Sequence, residues 1–249
     1  MKLKFSLLLA VASLSVSSAA VIPASSTLAG LNPGDTYRFV FVSSTTTGNS
    51  SSLTTYNNFV QGLANSAGIG NTAGVTWTAV LSVGSGSNNA ASNAPVSATT
   101  RVYLLNGTMV ANGTTVPFYT GSVDHLSAIN YTETDVTLTG ATNFVWSGGN
   151  ASGSESGSGL VGGGRPVLGN ASGLSGCACR GTSPGETPGG GWARYDNTDN
   201  LGLSSTGAFR VYAMSSLFTV QQTADVPEPS TFGMAAIALA AVAFLRRKS

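Results

Sequence analysis

The sequence predicts an α+β domain: a mainly antiparallel sheet, one amphipathic helix and long Gly/Ser-rich loops. Three observations carry that expectation. Short runs with two-residue apolar alternation recur along the chain, as at Thr36–Val42 and Val75–Val83. One stretch, Leu53–Ala67, places its apolar residues at helical spacing. Between such runs lie segments of Ser, Thr, Asn and Gly, glycine-dense from Ser147 to Gly191. A signal peptide and a membrane helix are expected to flank this domain.

The N-terminus reads as a targeting segment. Lys2 and Lys4 precede the apolar run Phe5–Leu14, and Ser18-Ala19-Ala20 offers small residues for cleavage. That order describes a secretory signal peptide, residues 1–20, cut after Ala20. Residues 21–222 then form one exported domain, long enough to bury a core. Over residues 21–226, six arginines face nine acidic residues, a net charge of −3, and there is no lysine. With no basic patch to neutralise phosphates, nucleic acid is not an expected partner. Tyr37, Phe39, Trp77, Tyr103, Trp146 and Phe209 are spread through the span, which a disordered chain would lack.

In chain order, Asn32-Pro33-Gly34-Asp35 is a turn. Thr36–Val42 follows as a strand with Tyr37, Phe39 and Phe41 on one face. Val40 and Val42 make the other face apolar as well, so the strand belongs at the centre of a sheet. Leu53, Tyr56, Phe59, Val60, Leu63, Ala64 and Ala67 form the helix stripe. Ser51 or Ser52 caps its start and Gly68 ends it. Val75–Val83 is a second strand, and Gly84–Thr99 a loop. Val102–Leu105 and Thr108–Val110 flank Asn106-Gly107, the pattern of a hairpin with a type I′ turn. Asn112-Gly113 is another turn, with Val116–Tyr119 a short strand after it. Val136–Leu138 and Asn143–Trp146 are shorter strand candidates. Residues 147–191 are expected to be loop. Ala208–Ala213 and Leu217–Gln221 close the domain as two strands.

Chemistry-bearing residues are few. The one histidine, His125, adjoins Asp124, but neighbours in sequence rarely form the orienting pair of a triad. No nucleophile-elbow motif accompanies them, so His125 is expected to be a polar loop residue. Glu133 and Asp135 sit two apart, the kind of carboxylate pair glycoside hydrolysis uses, but nothing around them supports that chemistry. Asp196, Asn197, Asp199 and Asn200 supply hard oxygen ligands of the type Ca²⁺ prefers, in an expected loop. Cys177 and Cys179 stand one residue apart. That spacing strains a disulfide, and the pair leaves open a local bridge, free thiols, an intermolecular link or a metal role. The expected reading is non-catalytic, with a hydrolase as an alternative.

The C-terminus reads Val226-Pro227-Glu228-Pro229-Ser230, an apolar stretch over 231–245, then Arg246-Arg247-Lys248. Pro227 and Pro229 bar a helix interior there. An apolar run stopped by cations is the pattern of a membrane segment with a cytoplasmic end. About fifteen residues at ~1.5 Å rise span roughly 22 Å, short of a ~30 Å hydrocarbon core, which suits a temporary tether. These three parts in order resemble the PEP-CTERM sorting signal of bacterial exported proteins. The resemblance implies passage through the secretion translocon, tethering to membrane lipid, and recognition near Pro-Glu-Pro by an exosortase. It also implies a final place at the cell surface or in the extracellular matrix, with extracellular polysaccharide as a partner.

The run Tyr37–Val42, the helix Leu53–Ala67, Thr76–Val83, Val102-Tyr103-Leu104-Leu105-Asn106-Gly107-Thr108 and Phe144-Val145-Trp146-Ser147-Gly148 together resemble a C-type-lectin-like or endostatin-like domain. A β-sandwich is the alternative. Proteins of the lectin-like kind bind Ca²⁺ and sugar through late-loop Asp, Asn and Glu, so the resemblance implies a Ca²⁺-dependent carbohydrate-binding role for Asp196–Asn200. The chain lacks the disulfide framework usual in those folds.

Overall fold

One long strand organises the fold, and four others lie along its two edges. The computed structural model describes residues 21–221 except 85, 121–122, 140–142, 151, 155–160, 162–166, 172–191, 194–195, 198–203 and 205. Its elements are β1 (Thr36–Val42), β2 (Thr47–Gly48), α1 (Leu53–Ser66), β3 (Trp77–Ala79), α2 (Ala90–Asn93), β4 (Arg101–Leu104), β5 (Met109–Ala111), β6 (Phe144–Trp146), β7 (Val167–Asn170), β8 (Asp196–Asn197), β9 (Ala208–Ser215) and β10 (Phe218–Thr219). The sheet runs β5-β4-β1-β9-β6-β7-β8, with β10 beside β1 and both β2 and β3 beside β9. The β1–β4 and β6–β9 pairs are parallel; the others are antiparallel. The sheet is thus mixed, mostly antiparallel, with two helices.

The long strand is β9. Along it β1 pairs Val40 with Met214 and Val42 with Tyr212, and β2 continues with Thr47 opposite Phe209. On β9 β3 pairs Trp77 with Ser215, while β6 pairs Trp146 with Val211. The Ser82 amide reaches the Ser147 carbonyl at 2.8 Å, joining the ends of those two segments.

Alternation sends side chains to two separate cores. Tyr37, Phe39, Phe41, Trp77, Tyr103, Trp146, Val211 and Ala213 pack with Tyr56, Val60 and Ala64 of α1. Val40, Val42, Val102, Leu104, Val145, Tyr212 and Met214 face the other way and pack with Ala90, Ala94, Phe118, Ile129 and Trp192. The first face is covered by a helix, the second largely by irregular chain. Burying each of these large side chains contributes about 1.5–3 kcal/mol. The indole N–H groups on the helix face have partners: Trp77 donates to the Ile69 carbonyl (2.8 Å) and Trp146 to that of Thr47 (2.9 Å). The central placement expected for Thr36–Val42 holds, because both of its faces are buried.

The helix expected over Leu53–Ala67 is found as α1, with Ser52 at its N-cap position, although the Ser52 side chain makes no capping bond. α1 also seals β3. Gln61 Oε1 accepts the Trp77 amide (2.7 Å) and Asn57 Oδ1 accepts the Ala79 amide (2.8 Å). These bonds close backbone donors that would otherwise invite another strand.

Several local expectations are corrected. The strand predicted over Val75–Val83 pairs only at Trp77–Ala79, although Val75, Leu81 and Val80 are buried as well. The predicted loop Gly84–Thr99 contains α2, whose N-cap Asn89 accepts the Ser92 amide at 2.8 Å. The hairpin at Asn106-Gly107 is not type I′. That turn needs positive φ at both central residues, whereas Asp135 alone among described non-glycine residues has it. Instead the Gly107 amide bonds the Leu104 carbonyl at 2.9 Å, and Gly107 takes φ +83. The result is a turn through Leu105 and Asn106 closed by a left-handed glycine. Leu105 joins the helix-face core, which explains the extra loop residue. Val116–Tyr119 is not a strand, and Val136–Leu138 contributes a single bridge, Thr137 to Tyr131.

β7 lies inside residues 147–191, expected to be loop throughout. A Cβ on Gly169 would come 2.0 Å from the Trp192 carbonyl oxygen, so bare backbone is required where that chain crosses the strand. β8 likewise converts the first half of the expected Asp196–Asn200 loop into strand, pairing Leu168 with Asp196 and Val167 with Asn197. No helix among the described residues is long and apolar enough to cross a membrane.

Candidate functional site

On the loop-covered side of β1 lies a groove of about 420 Å³ lined by Thr36, Arg38, Ala91, Pro95, Val96, Ser97, Thr100, Tyr119 and Leu217. Strand register explains its cation. Thr36 and Arg38 share the even-numbered face of β1 with Val40 and Val42, so a strand that is apolar further along ends in a guanidinium. Arg38 is half-buried. Its Nη1 donates to the Ser215 carbonyl at 2.5 Å, and its buried Nε has no hydrogen-bond partner. Among the described residues the one ion pair is Arg101 with Asp35, at 2.6 Å, so Arg38 has no carboxylate partner there. Burial lowers the Arg38 pKa below its ordinary value, against the opposing influence of Tyr119.

The opposite wall comes from α2 and the chain after it. The Tyr119 hydroxyl lies 2.9 Å from both the Ala90 and Ala94 carbonyls and so anchors the two ends of α2. Burial of that hydroxyl pushes its pKa up. Ser97 Oγ and Thr100 Oγ1 hydrogen-bond each other at 2.7 Å, and Leu217 sits half-exposed at the rim. The groove therefore combines one uncompensated cation, several hydroxyls and an aliphatic wall. Sequence reasoning passed over Arg38. The available signal was a lone arginine inside an otherwise apolar, inward-facing strand, where charges are seldom buried without a partner.

The residues singled out by sequence do not converge on this groove. His125, expected to be a polar loop residue, is instead 3 % exposed. Its ring stacks between Phe118 (centroids 5.2 Å) and Trp192 (4.8 Å). Its Nε2 lies 2.9 Å from the Phe118 carbonyl, while Nδ1 has no hydrogen-bond partner. Burial pulls its pKa down to about 4, partly offset by the Phe118 carbonyl and then by Asp124, which itself remains exposed. The irregular chain needs an aromatic filler here, and the imidazole supplies one.

Glu133 and Asp135 have different partners. The Glu133 carboxylate is buried and accepts both the Ser44 amide (2.9 Å) and the Ser44 hydroxyl. Asp135 takes φ +61 and accepts the Tyr131 hydroxyl at 3.3 Å. Glu133 is thus a clamp on the chain leaving β1, a role reinforced by Arg210, whose Nη1 donates to the carbonyls of Ser43 (2.6 Å) and Ser44.

Asp196 and Asn197 stand in β8, while Asp199 and Asn200 lie outside the described residues. Among the described residues, no three His, Cys, Asp or Glu side chains gather as a metal site would require. Cys177, Cys179, the signal segment with Ala20, and the tail from Val226 to Lys248 also lie outside the described residues.

The tail is the part of the chain with a recognisable relationship. Residues 225–248 match the PEP-CTERM protein-sorting motif, so the chain carries that motif where Val226-Pro227-Glu228-Pro229, the apolar run and Arg246-Arg247-Lys248 stand. No curated protein matches the chain.

Proposed function

We propose that this is an exported, exosortase-sorted protein whose domain is delivered to the cell surface or extracellular matrix and acts there without catalysis. The sorting motif over residues 225–248 carries the proposal. The signal peptide expected at residues 1–20 supports it by bringing the domain across the membrane while Arg246, Arg247 and Lys248 stay on the cytoplasmic side. On this reading the apolar run holds the chain at the membrane while the enzyme acts near Pro227-Glu228-Pro229. The non-catalytic part draws support from the commitments of the polar groups. Glu133 is occupied by Ser44, and among the described residues the groove beside β1 carries one charged side chain, Arg38.

The test is maturation of the full chain in its host. In the parent, intact mass and fractionation should show a tail shortened near Pro229 and the domain outside the inner membrane. Pro227→Ala and Glu228→Ala should leave an uncut protein held in the membrane. Normal tail removal and normal delivery in both variants would overturn the sorting reading.

A further inference from the structure

Arg38 presents an unmet electrostatic demand. A guanidinium taken partly out of water is costly unless an anion or several acceptors compensate it. Here one nitrogen, Nη1, is committed to the Ser215 carbonyl, which fixes the plane of the group. Nε is buried without an acceptor, and no described carboxylate forms an ion pair with the residue. Because Nε is closed off from solvent, the guanidinium nitrogen left for a ligand in the groove is Nη2, which can meet one oxygen of an anion.

The surroundings define the rest of the ligand. Among the described residues Arg38 is the one cation lining the groove, which suits one negative charge better than the multiple charges of a phosphate ester. Ala91, Pro95, Val96 and Leu217 form an apolar wall, and Thr36, Ser97 and Thr100 add hydroxyls. The volume of about 420 Å³ falls within the ordinary range for small-molecule sites. The walls come from β1, α2 with the chain after it, Tyr119 and the β9–β10 turn. They are tied together by the Tyr119 bonds to α2 and the Arg38 bond to Ser215. A groove fixed at both sides needs little ordering on binding, which reduces the entropic cost.

We propose that this groove binds a small organic carboxylate, with its anionic end on Nη2 of Arg38 and the ring or chain that bears it against Ala91, Pro95, Val96 and Leu217. The carboxylate could be carried by an apolar body or by an acidic saccharide, whose C–H face also suits an aliphatic wall. The site goes beyond the sorting function and does not rest on it, since tail variants and groove variants are read by different assays.

Calorimetric titration of the detergent-solubilised full chain tests this with sodium benzoate and sodium glucuronate, against benzyl alcohol and glucose as uncharged counterparts. At least one carboxylate should bind with a Kd of about 1 mM or tighter. Its uncharged counterpart should bind at least about ten-fold more weakly, the smallest difference a lost charged contact predicts. Preference for benzoate assigns the apolar body and preference for glucuronate the saccharide acid; each supports a carboxylate site. Arg38→Gln should remove binding. Leu217→Asp changes only an exposed rim residue, keeps the fold, and should weaken binding by a similar factor through repulsion. If Arg38→Gln does not fold, Leu217→Asp decides. Unchanged affinity in Leu217→Asp or in folded Arg38→Gln overturns the proposal. So does a folded parent that takes up neither carboxylate.

Discussion

The two faces of the sheet solve the same burial problem with different materials. On the helix face, α1 satisfies its own backbone and presents Tyr56, Val60 and Ala64 to Phe39, Phe41 and Trp77. On the other face, irregular chain does the covering, and its amides and carbonyls need side-chain partners. Asn112 Oδ1 accepts the amides of Thr114, Thr115 and Val116; Thr132 Oγ1 accepts that of Val136; Tyr212 donates to the Trp192 carbonyl. The difference shows in what remains unmet. Arg38 Nε, His125 Nδ1 and Trp192 Nε1 are the buried side-chain polar atoms without partners among the described residues, and all three belong to the loop-covered face. Regular structure buries apolar surface cleanly, whereas irregular cover leaves polar remainders, and such remainders are where ligands and pH find purchase.

The largest expected effect lies on the helix face. Phe41 is fully buried and meets Trp77 with ring centroids 4.7 Å apart. Phe41→Ala should cost about 3–5 kcal/mol in urea unfolding, from lost transfer energy and the cavity left behind. Because no titratable group takes part, that cost should be the same at pH 7 and pH 5. A strongly pH-dependent cost would break the distinction between the faces.

The loop face should behave in the opposite way. His125 is held neutral, with a pKa near 4 in place of the usual 6.5. The unfolded chain therefore binds a proton as pH falls through about 6.5, while the folded chain resists until about 4. Between those values the unfolded state holds more protons, so stability decreases as pH is lowered. For this deeply buried ring the full loss is about 3 kcal/mol, an order-of-magnitude figure. His125→Gln lowers stability at pH 7 through poorer stacking, yet it should flatten the pH dependence from pH 7 to 4. Urea unfolding across that range reads both quantities, and an unchanged slope in the variant would remove His125 as its source.

The same contrast explains what could be read from the sequence. Side-chain period alone was enough for β1, whose residues alternate between two apolar sets, and for α1, found one residue shorter than expected. Both features are local, and the hydrophobic effect enforces them. The loop layer depends on contacts distant in sequence. Gly169 is strand because it pairs with Val145 of β6, and His125 is buried because Trp192, far along the chain, closes over it beside Phe118. Glu133 meets Ser44 across 89 residues, and Arg38 meets Ser215 across 177. Composition made residues 147–191 look like loop and His125 look exposed, since nothing nearby in the sequence announces those partners. The sorting motif was fully legible, because its parts are contiguous and act through order along the chain.

The smallest effect sharpens the comparison most. Glu133 is 1 % exposed, and its two oxygens take the amide and hydroxyl of Ser44 where the chain leaves β1. Glu133→Ala strands two donors of Ser44, which is only partly buried, so water offsets part of their desolvation and a total of about 1–3 kcal/mol is expected. Glu133→Gln keeps one carbonyl acceptor and should recover part of that loss. On the helix face a residue trimmed to alanine loses packing, and no isosteric amide restores it. If Glu133→Ala unfolds in urea like the parent, Arg210 holds Ser43 and Ser44 in place by itself, and the polar partners of the loop layer are dispensable. If Gln restores what Ala removes, hydrogen bonding rather than bulk holds the irregular layer on the sheet.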